Sequence, residues 1–388
     1  MNRERGGKQL GTALLLAVLS LFCCSVSSAA QTIRDLPPPP PLPTPKPTPT
    51  PAPPKDDDFE VIRVSSNLVM VPVSVVDAKG EPLRGLLVND FRLAEEGRDQ
   101  KLVEIGNPDE VPLDIAILFD VSSSVSQKGF FAFQQSAAAA FLKQVLKPAD
   151  RAAIFTISDE PKLVSPLAPA DVAAAKLLRI PAASAPVPTA FYDTVMAASK
   201  YLVEKSGERH RRVILTISDG DDNYSNIVRD LTVAEYRASQ KGEVTSAAAY
   251  QNLLARRHRA LLEVQRSVQQ ADAAFYSINP GGPSIHLNEI SMRAQSGMES
   301  IAQYTGGTAF VPDAEKDLAR VFNEVAAELR GQYLLQYYSN SQASGAQFRR
   351  ITVTLPARAE LHVRARQGYY PKAKDEGGRM KDEKRQSP

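Results

Sequence analysis

The chain has 388 residues, enough for two domains or one large one. Hydrophobic residues at 43% and charged residues at 23% are the proportions of a globular protein, and a formal net charge of +2 speaks against a nucleic-acid binder that works through a basic surface. With Cys23 and Cys24 as the two cysteines, and histidines scattered at 210, 258, 286 and 362, a disulfide scaffold and a Cys/His zinc finger are excluded, whereas hard cations held by oxygen are not.

In chain order, residues 1–30 read as a signal peptide. Arg3, Arg5 and Lys8 outweigh Glu4 by two charges, which accounts for the whole formal net charge. Residues 10–24 form an apolar stretch too short to span a bilayer comfortably, and Ser28 and Ala30 supply a small-residue cleavage site. A Sec-type signal of this kind predicts a protein in the periplasm, on the cell surface or secreted. A lipoprotein fits less well, because the bulky Leu21 and Phe22 precede Cys23 where small residues are needed. Cleavage would remove both cysteines and leave a mature chain with no thiol and no transmembrane segment, which suits an oxidising compartment. Residues 31–58 are expected to be a disordered, proline-rich linker. Residues 37–54 hold 12 of the 29 prolines, a density that forbids helix and sheet and favours an extended spacer.

Residues 59–106 predict the first part of a β domain. Segments 59–64 and 68–76 are rich in β-branched residues, Lys79-Gly80-Glu81-Pro82 is a turn, and short strands follow at 91–94 and 102–105. The pattern then changes. Residues 113–119 (LDIAILF), 152–157, 213–217 and 273–278 are apolar runs of the kind buried on both faces of a parallel sheet, with a further strand at 307–311. Between them lie helical stretches at 128–147, 170–178, 191–205, 246–270, 290–304 and 314–330. In the long stretch at 246–270, Tyr250, Leu254, Leu261, Val264 and Val268 mark a packed face, and Arg256-Arg257-His258-Arg259 is expected to be solvated. This alternation predicts an α/β domain over 107–330, a doubly wound, mainly parallel sheet with helices on both faces. Strand patterns return at 332–338, 349–355 and 361–365. Residues 331–371 are therefore expected to complete the β domain begun at 59–106, each part alone being short for burying a core. The charged tail, 372–388, is expected to be disordered.

The chemistry concentrates at the ends of the buried strands. The first ends in Asp120-Val121-Ser122-Ser123-Ser124, a D-x-S-x-S motif, and the third in Ser218-Asp219-Gly220-Asp221-Asp222. Between them, Thr189 precedes the helix at 191–205. In open α/β sheets ligands gather at the carboxyl ends of the strands. Carboxylates and hydroxyls there form a hard oxygen donor set that suits Mg2+ or Mn2+. The simpler reading of residues 120–124, a helix cap, is outweighed because two more motifs follow in the expected order. Asp221 and Asp222 are expected to be surface turn residues, and Asp193 structural.

D-x-S-x-S, a later threonine and a strand-terminal S-D-G together resemble the von Willebrand factor type A (VWFA) domain with its metal-ion-dependent adhesion site (MIDAS), over residues 112–330. The flanks VPVSVVDAKGEPLRGLLVNDF and GQYLLQYYSN…FRRITVTL…LHVRARQGYY resemble exported VWFA-related proteins of Acidobacteria. The resemblance implies a Rossmann-like vWA domain inserted in a smaller, β-sandwich-like domain. It implies that Ser122 and Ser124 coordinate the cation directly, that Thr189 does so directly or through water, and that Asp120 and Asp219 hold its waters. An open position would then accept a carboxylate from a protein partner, since few direct anionic ligands leave the cation electrophilic. Val187-Pro188 stand before Thr189 where the family often has glycine.

The function expected is thus an exported, metal-dependent protein-binding or adhesion module with no enzymatic activity and no nucleic-acid partner. The alternatives are a structural envelope protein stabilised by its metal, and a Mg2+-dependent hydrolase. Against the hydrolase, Ser122 occupies the place where a haloacid-dehalogenase-type phosphatase needs a second aspartate, and neither a P-loop nor a G-x-S-x-G elbow occurs. The long segment at 231–251 is an insertion beyond what the resemblance requires.

Overall fold

A computed structural model describes residues 68–122, 131–231, 233–283, 288–314, 317–341 and 347–371. The expected signal peptide, proline-rich linker, strand at 59–64 and charged tail lie outside the described residues.

The central sheet contains β5 (Leu113–Asp120), β6 (Arg151–Ile157), β7 (Lys162–Ala168), β8 (Arg211–Ile217), β9 (Ala273–Ile278) and β10 (Ala309–Phe310). Its order is β10-β9-β8-β5-β6-β7, and every pairing is parallel except that of β7. Counted in order of entry, this is 3-2-1-4-5-6, the doubly wound Rossmann order. All eight residues of β5 are buried, because helices cover both faces. Each fully buried Ile, Leu or Phe there contributes about 1.5–3 kcal/mol. On one face α1 (Phe131–Val145), α2 (Ala170–Leu177) and α8 (Leu318–Gly331) pack against Ile115, Ile117 and Phe119. On the other, α3 (Phe191–Lys205), α6 (Ser246–Gln270) and α7 (Glu289–Thr305) pack against Ala116 and Leu118.

Three features depart from the sequence reading. β7 has no counterpart in it. This is an antiparallel edge strand that carries Pro166 and has Lys162 and Leu163 exposed, so it lacks the apolar run of an interior strand. Two short helices, α4 (Asn226–Arg229) and α5 (Val233–Gln240), occupy the segment before α6. In α6 itself, Val264 and Val268 are buried and Leu254 and Leu261 are half-buried, but Tyr250 is exposed, because the helix outruns the sheet it packs on. Arg256, expected in solvent, is half-buried and ion-paired with Glu235 at 3.0 Å.

The rest of the described chain forms two four-stranded sheets. One has the order β13-β1-β11-β4, from His362–Ala365, Leu68–Val76, Tyr333–Tyr338 and Leu102–Gly106. The other has the order β14-β12-β2-β3, from Gly368–Tyr369, Arg349–Thr354, Arg92–Glu95 and Arg98–Gln100. Strands from before and after the α/β portion therefore pair with one another. β1 lies between β11 and β13, in register from Leu68↔Tyr338 to Val73↔Tyr333 with the former. Val71, Val73, Leu335 and Tyr337 of the first sheet share a core with Leu93, Ile351 and Tyr369 of the second. The fold class is thus a Rossmann-like α/β sheet set into a smaller β-sandwich-like region.

Two buried carboxylates hold this assembly together. In the sandwich, Glu95 accepts hydrogen bonds from Tyr337 Oη (2.7 Å) and Ser339 Oγ (2.8 Å) and pairs with Arg349 at 3.4 Å. Glu328 of α8 joins the two sheet systems. It accepts from Ser74 of β1 (3.0 Å), Tyr276 of β9 (3.1 Å) and Thr308, and pairs with Arg364 of β13 at 2.7 Å. A buried charge persists only when its oxygens are satisfied in this way. Among the described residues no helix is long and apolar enough to cross a membrane.

Candidate metal centre

The connections of a doubly wound sheet leave in opposite directions from β5 and β8. Their carboxyl ends therefore open a crevice between them. Asp120 closes β5, is fully buried, and is held from two sides. Its Oδ1 accepts from the Ser122 amide at 2.7 Å, and its Oδ2 accepts from Ser218 Oγ at 2.5 Å. Ser218 follows β8 directly, and its hydroxyl also accepts from the Gly220 amide at 2.9 Å. One serine thus fixes both strand ends. Gly220 has φ +74°, and a Cβ there would stand 2.7 Å from Met298 Sδ, so the glycine of S-D-G is required twice over.

Thr189, also buried, is brought to the same edge by backbone pairing. Its amide donates to Asn223 Oδ1 (2.9 Å), and its carbonyl accepts from the amides of Asn223 (3.1 Å) and Tyr224 (3.0 Å). The next amide, Ala190, donates to the Ser158 carbonyl just past β6 (2.7 Å). Loops after β5, β6 and β8 therefore meet around Asp120, Ser122, Thr189 and Asp219. Ser124 lies outside the described residues.

Asp222 is not the surface turn residue its sequence context predicts. It is buried and accepts from the amides of Tyr192 (2.7 Å) and Ser225 (3.1 Å) and from Ser225 Oγ (2.5 Å). It caps the first turn of α3 from another loop. Asp193 returns the contact by accepting from the Asn226 amide at 2.9 Å. The sequence signal for this was the clustering of Asp222, Asn223 and Ser225 after S-D-G, whose side chains accept from the amides of Tyr192, Thr189 and Asp193, some thirty residues earlier.

The electrostatics of the edge are those of excess negative charge. Burial pushes the Asp120 carboxyl up to about 7, the charge of Asp219 adds to the rise, and hydrogen bonds from Ser122 and Ser218 oppose it. Asp221 is raised too, by burial and then by Asp219, with Arg257 opposing. Two interacting carboxylates beside buried hydroxyls are all oxygen donors, a set that fits a hard divalent cation. Among the described residues no three His, Cys, Asp or Glu side chains gather at metal-holding distance, so a site here depends on serine and threonine oxygens.

No protein-family model and no curated protein matches the sequence. Among solved structures, the chain is similar to a von Willebrand factor type A protein from Catenulispora acidiphila, with 14% identity and TM-score 0.40, over 69% of this chain and 51% of that one. It is similar to the vWF domain of the type V pili tip protein Mfa5 from Porphyromonas gingivalis, with 14% identity and TM-score 0.40, over 56% of this chain and 94% of that one. It is also similar to proximal thread matrix protein 1 from the mussel byssus with a zinc-occupied MIDAS motif, with 14% identity and TM-score 0.38, over 60% and 48% of the two chains.

Proposed function

We propose that this protein is an exported, non-enzymatic binding module that holds Mg2+ or Mn2+ at the carboxyl edge of its sheet and uses it to capture an acidic group on a protein partner. Ser122, Ser124 and Thr189 supply hydroxyl oxygens to the cation, and Asp120 and Asp219 balance its charge and order its waters. When bound, the cation supplies an electrophilic position for a carboxylate. The chain's own residues set that position by fixing the two strand ends, burying Asp120 and presenting neutral donors. The Sec-type signal places the module in the periplasm, on the surface or outside the cell, beyond the proline-rich spacer.

The observation that carries this reading is the joining of Asp120 to the Ser218-Asp219-Gly220 turn across the switch point, with buried Ser122 and Thr189 beside it. The test is calorimetric titration of Mg2+ and Mn2+ into residues 31–388, beside Asp120→Ala and Asp219→Ala variants shown to be folded by circular dichroism. Saturable binding to the parent and its loss in both variants is the expected result. Binding that survives both substitutions, or a parent that binds neither ion, overturns the proposal.

A further inference from the structure

The insertion that the sequence left without a role stands next to the candidate metal centre. α6 has 25 residues and spans about 37 Å, whereas the six-residue β9 behind it spans about 20 Å. The helix runs towards the amino end of β9, and its first buried residue is Ala260. Its amino-terminal turns therefore rise past the carboxyl edge of the sheet, the edge that holds Asp120 and Asp219. α5 leans on this projection through the Glu235–Arg256 pair, whose side chains are 16% and 12% exposed. Arg256 Nε also donates to the Val228 carbonyl of α4 (3.2 Å), which ties the projection to the loop after S-D-G.

α5 is turned the unexpected way round. Glu235 faces inward to its ion pair, and no residue of the helix is buried. Val233 and Tyr236, three apart and so on one side of the helix, are 66% and 56% exposed. Leu231 just before them is 48% exposed, and Tyr250 on the projecting part of α6 is 45% exposed. α5 thus turns Glu235 toward α6 and leaves Val233 and Tyr236 on the surface. Leu231, Val233 and Tyr236, close in sequence at the start of α5, form an exposed apolar and aromatic stretch of the kind that marks an interaction site. The segment 231–259 is also cationic, with five Lys and Arg against two Glu.

We infer that the α5–α6 projection is the wall against which a partner is read. Its occupant is an acidic protein segment in which the carboxylate that reaches the cation is flanked by aromatic or aliphatic side chains, which lie on Val233 and Tyr236. The inference rests on the metal-centre reading for where the carboxylate goes. The wall supplies what a cation alone lacks, discrimination among the many carboxylates of other proteins.

The test selects from a display library of short peptides, each with one fixed aspartate, on the full mature chain in Mg2+. Selected peptides are expected to carry aromatic or aliphatic residues beside the aspartate and further acidic residues. They are expected to bind a Val233→Ser/Tyr236→Ser variant at least about tenfold more weakly, and Arg237→Glu more weakly as well. Both changes are fully on the surface, and Mg2+ titration of each variant should match the parent. Peptides that bind the wall variant as they bind the parent overturn the inference while the metal centre stands. Peptides that depend on the wall in a chain that takes up no Mg2+ overturn the metal-centre reading and leave the wall as a binding surface. A chain that dimerises in light scattering, with the dimer lost in the wall variant, makes a second copy the occupant and overturns the acidic segment.

Discussion

Ser218 donates its hydroxyl to Asp120 at 2.5 Å across 98 residues of sequence, and through that one bond the ends of β8 and β5 are held together. The same hydroxyl accepts from the Gly220 amide, so the turn that presents Asp219 is set by the residue that steadies Asp120. Ser218→Ala is expected to lower Mg2+ affinity by about 10- to 100-fold without removing any proposed direct ligand. It should also cost about 1–3 kcal/mol of stability, because a buried carboxylate oxygen loses its donor. Calorimetric titration and urea unfolding of the same preparation read the two effects separately.

Asp120 gives the cation-free chain an unusual pH dependence. Its folded pKa, about 7, lies above the ordinary value of 3.8, so between these two values the folded state holds a proton that the unfolded state has lost. Stability from this group is therefore full below about pH 4 and is lost as pH rises through about 7. In EDTA, the urea midpoint of the parent is expected to decline from pH 5 to pH 8 relative to Asp120→Asn. Saturating Mg2+ should abolish the decline, since the cation stabilises the ionised carboxylate.

Gly220→Ala faces two penalties, a left-handed backbone and a Cβ 2.7 Å from Met298 Sδ. It should destabilise the fold by about 1–3 kcal/mol and weaken Mg2+ binding by displacing Asp219. Adding Met298→Ala relieves the contact but not the backbone strain. The double variant should therefore regain less than the whole loss of Mg2+ affinity in a titration.

Asp222→Ala removes the shared acceptor for the Tyr192 amide and for the amide and hydroxyl of Ser225. A loss of about 1–3 kcal/mol is expected, as for a helix that loses its cap and leaves buried donors unmet. Thr189 is anchored to Asn223, the residue after Asp222, through its amide to Asn223 Oδ1 and its carbonyl to the Asn223 amide, so Mg2+ affinity should fall as well. Thermal melting with and without Mg2+ checks both.

Arg364→Ala breaks the 2.7 Å pair with Glu328 and deprives a buried carboxylate of its guanidinium partner. A loss of about 3 kcal/mol is expected in urea unfolding. Glu328 lies on α8, away from the S-D-G turn in sequence and structure element, and Mg2+ affinity of the folded variant should stay at the parent value.

What the sequence determined by itself is whatever local order encodes. The apolar runs at 113–119, 152–157, 213–217 and 273–278 could satisfy their side chains only between two helical layers, and β5, β6, β8 and β9 lie there. The order D-x-S-x-S, threonine, S-D-G pointed to Asp120, Ser122, Ser124, Thr189 and Asp219; Asp120 ends β5, and Ser122, Thr189 and Asp219 lie on connections at the same edge of the sheet. Other features depended on partners far along the chain and left no local trace. β7 is an edge strand whose proline and exposed side chains are tolerated because one flank is unpaired. Asp222 is buried because its hydrogen-bond donors, at Tyr192 and Ser225, are delivered by two different elements. Tyr250 is exposed because α6 is longer than the strand it packs against, and Val233 because α5 meets that projection through Glu235, a mismatch that periodicity cannot register. Periodicity reports which side of an element is apolar, and only the tertiary structure decides where the surface that could cover it ends.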